Sequence, residues 1–477
     1  MAPSHMDILN CLQLQSDCNE RLLDRRFSDD SCNTHLPDND IPPIALVYQP
    51  FGQFLDTYLS ERGYNPEEAL SPRARECVDR FMARMASIYA SEDARQGACL
   101  QTLNDIFYAV LGERHRQIMP GVIGKFRSDG HSRGPHGTPL CVVEFKNESP
   151  SHYLPVVELA CYYHQLATEV KKRYKSTFMC STLPALGMTI TGKLIIVFEH
   201  FIKLLISSGP GITFYALVSL PRCHYAPLSH ALSCIDSAVG ENTRLGIYRA
   251  FAAAAALLDH ISQHVISISA APSPQIKNRL LPVITSLPAI NQSSPLEFKI
   301  TGRLITSLHR QLYVGTSMDG RTLVIKFVRT YSPELHMHSA EKGHAPPLRG
   351  FGKLQGNFFG VAMDFMGGAR NLDSNGTLSD QEHWAHQLTE LVRSFHDKGF
   401  VHGDLRYPNI LHVKNKIILL DYDWGGKEGE AMYPFGSLHP DLTEGRTRTD
   451  LKITKEDDQR ILATTLTRIQ ESYSMMM

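Results

Sequence analysis

The chain of 477 residues has no excess of either charge, because 48 lysines and arginines almost balance 49 aspartates and glutamates. It therefore lacks the global field that favours nucleic acid or an anionic membrane surface, and any such contact has to be local. Its ten cysteines show no zinc-like pairing, and a chain of this size needs no disulfide framework. Free thiols in a reducing compartment are the expectation.

A long apolar run is also absent. Residues 1–43 are polar, with no continuous apolar core behind basic residues, which argues against a signal peptide and predicts a disordered tail. The most apolar helix candidate, 250–258, is shorter than the roughly 20 residues that span a bilayer. We expect an intracellular protein, cytoplasmic or nuclear, without a membrane partner.

The length favours two folded domains. Residues 44–230 mix helical and strand periodicities and predict an α/β domain, with helices from Ser71-Pro72 and over 156–172, and strands over 140–145 and 193–198. Residues 231–295 predict a helix, 244–265, followed by a linker rich in Pro and Ser. Residues 296–477 form the second predicted domain.

The second domain begins with three predicted strands. The third, 322–328, carries Lys326 and follows an Asp-Gly dipeptide that is typical of a tight hairpin. A predicted helix over 333–342 carries Glu334. Three histidines near Glu341 could suggest a metal site, but His344 lies past the end of this helix, so we expect surface histidines instead: His336, His338 and His344.

The most informative motif is His-Gly-Asp-Leu-Arg-Tyr-Pro-Asn at 402–409, followed by an apolar run, 417–420, and then Asp-Tyr-Asp at 421–423. It offers a carboxylate in a loop, an amide five residues later, and a second carboxylate that ends a buried strand. This set can place a metal-bound nucleoside triphosphate beside a hydroxyl group.

The order of these motifs resembles that of protein kinases. The whole chain is similar to fungal kinase-like proteins allied to crinkler effectors, in which a restriction-endonuclease-like domain precedes the kinase-like one. The resemblance implies a two-domain chain that combines an α/β nuclease-like block with a bilobal kinase-like fold. Because 56 residues follow Asp421, the C-terminal lobe is expected to be shortened.

The resemblance also implies an ATP-dependent phosphotransferase that uses Mg²⁺, with Ser or Thr of a protein as the expected acceptor. Asp404 would be the catalytic base, and Arg406 would neutralise charge on the transferring phosphoryl group. The other implied roles are phosphate binding by Lys326, its ion pairing with Glu334, magnesium binding by Asn409 and Asp421, and an adenine-reading hinge that contains Asp364 and Met366.

Some positions depart from the kinase pattern. The loop 306–310 contains no Gly-x-Gly-x-x-Gly, and Gly403 stands where an arginine is usual. Asp423 replaces a glycine and competes with Asp421 for the metal, although the spacing to the strand favours Asp421. A catalytically inactive pseudokinase that serves as a binding module is therefore one alternative.

The first domain contains a second group of candidate site residues. Alternation along the strand 141–146 puts Glu144 and Lys146 on one face, and Asp129 lies fifteen residues upstream of Glu144. A metal-binding carboxylate beside a lysine is the working pair of restriction-endonuclease-like nucleases. Glu158 stands near the glutamine that the nuclease-like family often carries. The alternatives are a metal-dependent nuclease that contacts DNA and a solvated strand end without function.

Overall fold

The computed structural model describes residues 42–60, 70–124, 126–146, 154–178, 181–191, 211–219, 223–234, 236–270, 281–304, 311–372, 378–434 and 438–474. The chain divides into two compact units, Met1–Val283 and Ile284–Met477. Both units are mixed α/β. The predicted tail up to residue 41, the strand 193–198, part of the linker (271–280) and the loop 306–310 lie outside the described residues.

The first unit contains seven described helices and one sheet. The helices are α1 (Ile44–Val47), α2 (Gln49–Leu59), α3 (Pro72–Ala86), α4 (Glu92–Leu111), α5 (Leu154–Arg173), α6 (Lys175–Phe178) and α7 (Asp236–Ala270). The strands are β1 (Met119–Ile123), β2 (Phe126–Arg133), β3 (Pro139–Lys146), β4 (Ala185–Thr191), β5 (Gly211–Ser219), β6 (Cys223–Pro227) and β7 (Leu232–Ser233).

The sheet follows the order β1-β2-β3-β4-β5-β6, with β7 paired to β5. Strands β3 and β4 are parallel, while the other neighbouring pairs are antiparallel. A parallel pair needs a crossover, and α5 supplies it. The helix α5 therefore packs on the strand that carries Glu144 and Lys146.

Two helices show how the sequence builds this unit. Ser71 accepts a hydrogen bond from the backbone nitrogen of Ala74, and Pro72 occupies the first turn, so the predicted start of α3 is confirmed. Within α7, the segment Arg244–Ala270 is the one part of the described chain whose length and composition would allow it to cross a membrane. Its inner face, including Ala250 and Phe251, is buried in the core of the unit, which is the environment of a core helix.

In the second unit, the main sheet has the order β12-β13-β11-β10-β9-β8. Its strands are β8 (Ser286–Leu287), β9 (Leu296–Arg303), β10 (Leu312–Ser317), β11 (Thr322–Val328), β12 (Leu348–Leu354) and β13 (Phe358–Asp364). The helix α8 (Pro333–Glu341) lies between β11 and β12 in sequence. Strands β9, β10 and β11 confirm the three predicted strands, whereas β8 and β12 had not been predicted.

The rest of the second unit contains α9 (Leu378–Asp397), α10 (Pro440–Thr443), α11 (Lys455–Ser474) and short strands. The strands are β14 (Arg370–Asn371), β15 (Phe400–Val401), β16 (Ile410–Val413), β17 (Lys416–Leu419) and β18 (Gly426–Lys427). Buried side chains of α9 and α11, among them Trp384, Phe395 and Ile461, form one core with Leu405 and Leu419. Leu405 thereby anchors the loop 402–409 in this core.

Candidate functional site

The loop between β15 and β16 begins with a backbone turn that requires glycine. Gly403 has φ of +80°, a region that other residues rarely adopt. A Cβ atom added there would lie 2.7 Å from Cδ1 of Ile453. The absence of an arginine at this position therefore has a steric reason.

Asp458, at the start of α11, holds this turn in place. It is fully buried, and its two oxygens accept hydrogen bonds from the backbone nitrogens of His402 at 2.8 Å and Gly403 at 2.7 Å. The ring of His396 lies 3.1 Å from the same carboxylate. The sequence interpretation missed Asp458, because it stands in an acidic first turn (Glu456, Asp457, Asp458) of the kind that any helix N-terminus favours.

His402 joins the loop to the end of β17. Its Nδ1 accepts a hydrogen bond from the backbone nitrogen of Asp404, and its Nε2 lies 3.2 Å from the carbonyl oxygen of Leu420. Because a carbonyl only accepts, Nε2 carries the proton and the ring is neutral. Burial also lowers the pKa of His402.

The predicted base, Asp404, and the predicted magnesium ligand, Asn409, lie in the same loop between β15 and β16. Arg406 donates two hydrogen bonds to Asp404, from Nε to Oδ1 at 2.5 Å and from Nη2 to Oδ2 at 3.0 Å. The side-chain amide of Asn409 donates to the carbonyl of Asp404, and the carbonyl of Asn409 accepts from the backbone nitrogen of Leu420. The loop and the segment that begins at Asp421 are thereby held side by side.

Lys326 reaches the same place from β11. Its Nζ lies 2.5 Å from Oδ1 of Asp421 and 2.5 Å from Oδ1 of Asp423. Burial lowers the pKa of Lys326, but the two aspartates outweigh burial and the net pKa is raised. Burial raises the pKa of Asp423 to about 7. Asp421 adopts φ of +68°, an uncommon conformation that concentrates at functional sites.

Glu334 does not occupy its predicted position. Its side chain is exposed, and among the described residues the ion pairs of Lys326 are with Asp421 and Asp423. The inward face of α8 instead carries Leu335 and His336. The expectation of surface histidines is also wrong for two of the three, since His336 and His338 are buried and His344 is half-buried.

The predicted hinge begins at the last residue of β13, Asp364. The Asp364 carboxylate accepts two hydrogen bonds from Arg349, at 2.8 Å and 2.6 Å. The backbone nitrogen of the next residue, Phe365, donates to Thr322. The side chain of Asp364 is therefore engaged within the protein, and a role for the backbone of Asp364 and Met366 in reading adenine stays a prediction.

The oxygen donors of this site fit Mg²⁺. Asn409, Asp421 and Asp423 offer amide and carboxylate oxygens, which Mg²⁺ prefers. Within the described residues, no group of three or more His, Cys, Asp and Glu side chains is arranged to hold a metal. A magnesium site that takes part of its ligands from phosphate and water does not need such a group.

In the first unit, the predicted nuclease residues also meet. Lys146 Nζ lies 2.7 Å from Oε1 of Glu144 and 2.9 Å from Oε2 of Glu158. Asp129 accepts a hydrogen bond at 2.8 Å from the backbone nitrogen of Phe145, between the other two strand residues. Glu92 of α4, which the sequence interpretation missed, lies 3.3 Å from Lys146. A solvated strand end is thus wrong for Glu144, which is 1% exposed.

This cluster has more carboxylates than cations. Burial raises the pKa of Glu144 well above its usual range, and the proximity of Glu158 raises it further. Burial likewise raises the pKa of Asp129 to about 6. Oε2 of Glu144 is buried with no hydrogen-bond donor among the described residues. The donor set therefore fits a further cation or a bound proton.

No protein-family model matches the chain, and no curated protein matches it. Among solved structures that match, the kinase PK-1 of Cydia pomonella granulovirus aligns with a TM-score of 0.32 and 15% identity, over 36% of this chain and 67% of its own.

Proposed function

We propose that the second unit is a protein-kinase-like domain that transfers a phosphoryl group from ATP to a hydroxyl group, with Ser or Thr of a protein as the acceptor. The proposal depends mainly on the ion pair between Lys326 and Asp421, which are 95 residues apart in sequence. Nζ of Lys326 lies 2.5 Å from Oδ1 of Asp421. A buried lysine, two aspartates, an asparagine and an arginine-bound aspartate are the parts that phosphoryl transfer needs.

Each side chain has a role in this proposal. Lys326 binds the phosphates, Asn409 and Asp421 hold Mg²⁺, and Asp404 accepts the proton of the acceptor hydroxyl. Arg406 fixes Asp404, and its positive charge neutralises charge that develops on the transferring phosphoryl group. ATP and Mg²⁺, when bound, supply the transferable group and the positive charge that stabilises it. Positioning and electrostatics thus account for the chemistry.

The test uses the full chain with labelled ATP, Mg²⁺ and a mixed protein pool. We expect label transfer by the wild type and a loss of at least about 100-fold in Asp404→Asn and Lys326→Ala, as for groups that act in the transition state. Asp450→Asn is the matched control, because Asp450 is an exposed aspartate of the same unit. Label transfer by Asp404→Asn at the wild-type rate would exclude Asp404 as the base.

The same protein distinguishes a binding module from an enzyme. A pseudokinase that does not bind nucleotide gains no thermal stability from ATP and Mg²⁺. Nucleotide binding at 100 times its Kd is instead expected to stabilise the fold by about 2.7 kcal/mol. Stabilisation without label transfer would support a nucleotide-binding pseudokinase.

A second candidate function belongs to the first unit. We propose that this unit is a restriction-endonuclease-like domain whose residues Asp129, Glu144 and Lys146 form a metal-dependent site acting on DNA. The contact of 2.7 Å between Lys146 and Glu144, with Asp129 beside them, favours it. Magnesium-dependent nicking of plasmid DNA that is lost in Lys146→Ala, and kept in Asp404→Asn, would support this activity. No nicking by the wild type would contradict it.

A further inference from the structure

Among the described residues, no carboxylate of α8 pairs with the side chain of Lys326. The two glutamates of α8, Glu334 and Glu341, are seven residues apart and both exposed, so they lie on one outward face. The inward face is fixed by His336, whose ring stacks on that of Tyr422 at 4.6 Å with an interplanar angle of 7°. Turning Glu334 inward would expose this buried histidine.

Asp423 supplies the carboxylate that α8 does not. It lies 2.5 Å from Lys326 Nζ, and it shares this contact with Asp421. The residue between them, Tyr422, is buried. Its hydroxyl donates to the carbonyl of Leu419, and its own carbonyl accepts from the backbone nitrogen of Ser332. Tyr422 thus anchors the segment that presents both carboxylates.

We propose that Asp423 is the positioning residue of Lys326, in the place that the kinase resemblance assigns to Glu334. The inference rests on the proposed phosphate-binding role of Lys326. It explains why an aspartate stands where a glycine is usual. When Asp421 is committed to a metal ion, Asp423 keeps a carboxylate on the ammonium group of Lys326.

A consequence concerns regulation. Both carboxylates that hold Lys326 belong to one anchored segment, and neither belongs to α8. Because Ser332 at the start of α8 and His336 within it both contact Tyr422, a movement of α8 would reach the ion pair through this segment and not through a glutamate of the helix.

The decisive measurement is the reactivity of Lys326. The full chain, without nucleotide, is treated with an amine-acylating reagent, and the modification of Lys326 is followed by peptide mass spectrometry. We expect Asp423→Asn to raise the labelling rate of Lys326 about tenfold, since a neighbouring opposite charge protects the protonated amine. Glu334→Gln is the matched control and is expected to leave the rate within about twofold of the wild type, because an exposed charge has little effect.

Kinetics provide the second readout. In Asp423→Asn we expect kcat/KM for ATP to fall about tenfold, the effect of losing one charge-assisted contact. The longer carboxylate of Asp423→Glu should restore part of it, whereas a merely structural defect would not be restored. Glu334→Gln should keep the wild-type value.

The results that overturn the inference are specific. They are an Asp423→Asn protein with wild-type labelling and kinetics, or a Glu334→Gln protein in which Lys326 is labelled about tenfold faster. Glu334→Gln alters an exposed residue, so tenfold faster labelling in this variant overturns the inference even if Asp423→Asn fails to fold. Asp423→Glu then provides the second variant at position 423. If the wild type transfers no phosphate, the proposed function fails, while the labelling still tests which carboxylate holds Lys326.

Discussion

Arg406 donates two parallel hydrogen bonds to Asp404, from Nε to Oδ1 and from Nη2 to Oδ2. The pair is largely buried, with 16% of the Arg406 side chain and 6% of the Asp404 side chain exposed. Asp404 and Arg406 are two positions apart in the sequence. Their contact is planar and bidentate, a geometry that only a guanidinium group can provide. It holds the proposed base in one orientation.

The first prediction follows from this bidentate contact. Arg406→Ala should lower kcat by roughly 100-fold, because it removes a bidentate charge-assisted contact and a positive charge. Arg406→Lys should recover part of the rate, since lysine supplies charge without the bidentate geometry. Steady-state kinetics with labelled ATP measure both. An alanine variant with wild-type kcat would mean that Arg406 has no role in transfer.

The second prediction concerns the turn at Gly403. Gly403→Ala should destabilise the second unit by about 2 kcal/mol or more, because it combines an unfavourable φ with a close contact to Ile453. Gly429→Ala is the matched control, since Gly429 has φ of +88° and no atom within 4 Å of an added Cβ. Urea unfolding compares the two. Equal losses of stability would show that the contact with Ile453 costs nothing.

The third prediction concerns Asp458. The carboxylate of Asp458 accepts hydrogen bonds from two backbone N–H groups. In Asp458→Asn an NH₂ group would face one of these donors, so we expect a loss of about 2–4 kcal/mol in the free energy of unfolding. The exposed pair of Asp450 with Arg448 gives the comparison. Asp450→Asn should have a much smaller effect, because an exposed ion pair contributes little to stability. Calorimetry or chemical unfolding measures the difference, and an equally mild Asp458→Asn would contradict the buried role.

The fourth prediction is a pH dependence set by His336. Its Nδ1 lies 2.7 Å from the hydroxyl of Tyr331, and its Nε2 lies 2.7 Å from the carbonyl of Pro346. Burial lowers the pKa of His336 from 6.5 to about 4. Between these values the unfolded chain binds more protons than the folded one, so stability present above pH 6.5 is lost as the pH falls towards 4.

The full shift corresponds to roughly 3 kcal/mol. His336→Gln removes the titrating group, so the free energy of unfolding of this variant should fall less between pH 7 and pH 4 than that of the wild type. Urea unfolding at several pH values gives both curves. Parallel curves would show that His336 does not titrate with folding.

Much of the second unit could be predicted from local patterns. The strand that carries Lys326 was predicted with its observed bounds, Thr322–Val328, because an Asp-Gly turn and a run of β-branched residues are local signals. Strand β12 is not evident from the sequence, because Leu348–Leu354 contains two glycines, which weaken a strand pattern. Its place in the sheet comes from pairing with β13.

The candidate sites divide in the same way. Spacing along the chain pointed to Asp404, Asn409 and Asp421, and strand alternation pointed to Glu144 with Lys146. Glu334 was assigned by resemblance, and the assignment was wrong because the packing of His336 on Tyr422 fixes which face of α8 turns inward. Asp458 gave no signal of its own, because an acidic residue in a first helical turn is usual.

The sequence by itself determined which residues have the chemistry of a nucleotide and metal site, because type and spacing are properties of the chain. Only the tertiary structure decided which of them meet. Lys326 and Asp423 are 97 residues apart, and Asp458 lies 55 residues beyond Gly403. Contacts over such separations depend on how strands pair and how buried faces pack, which no local pattern records.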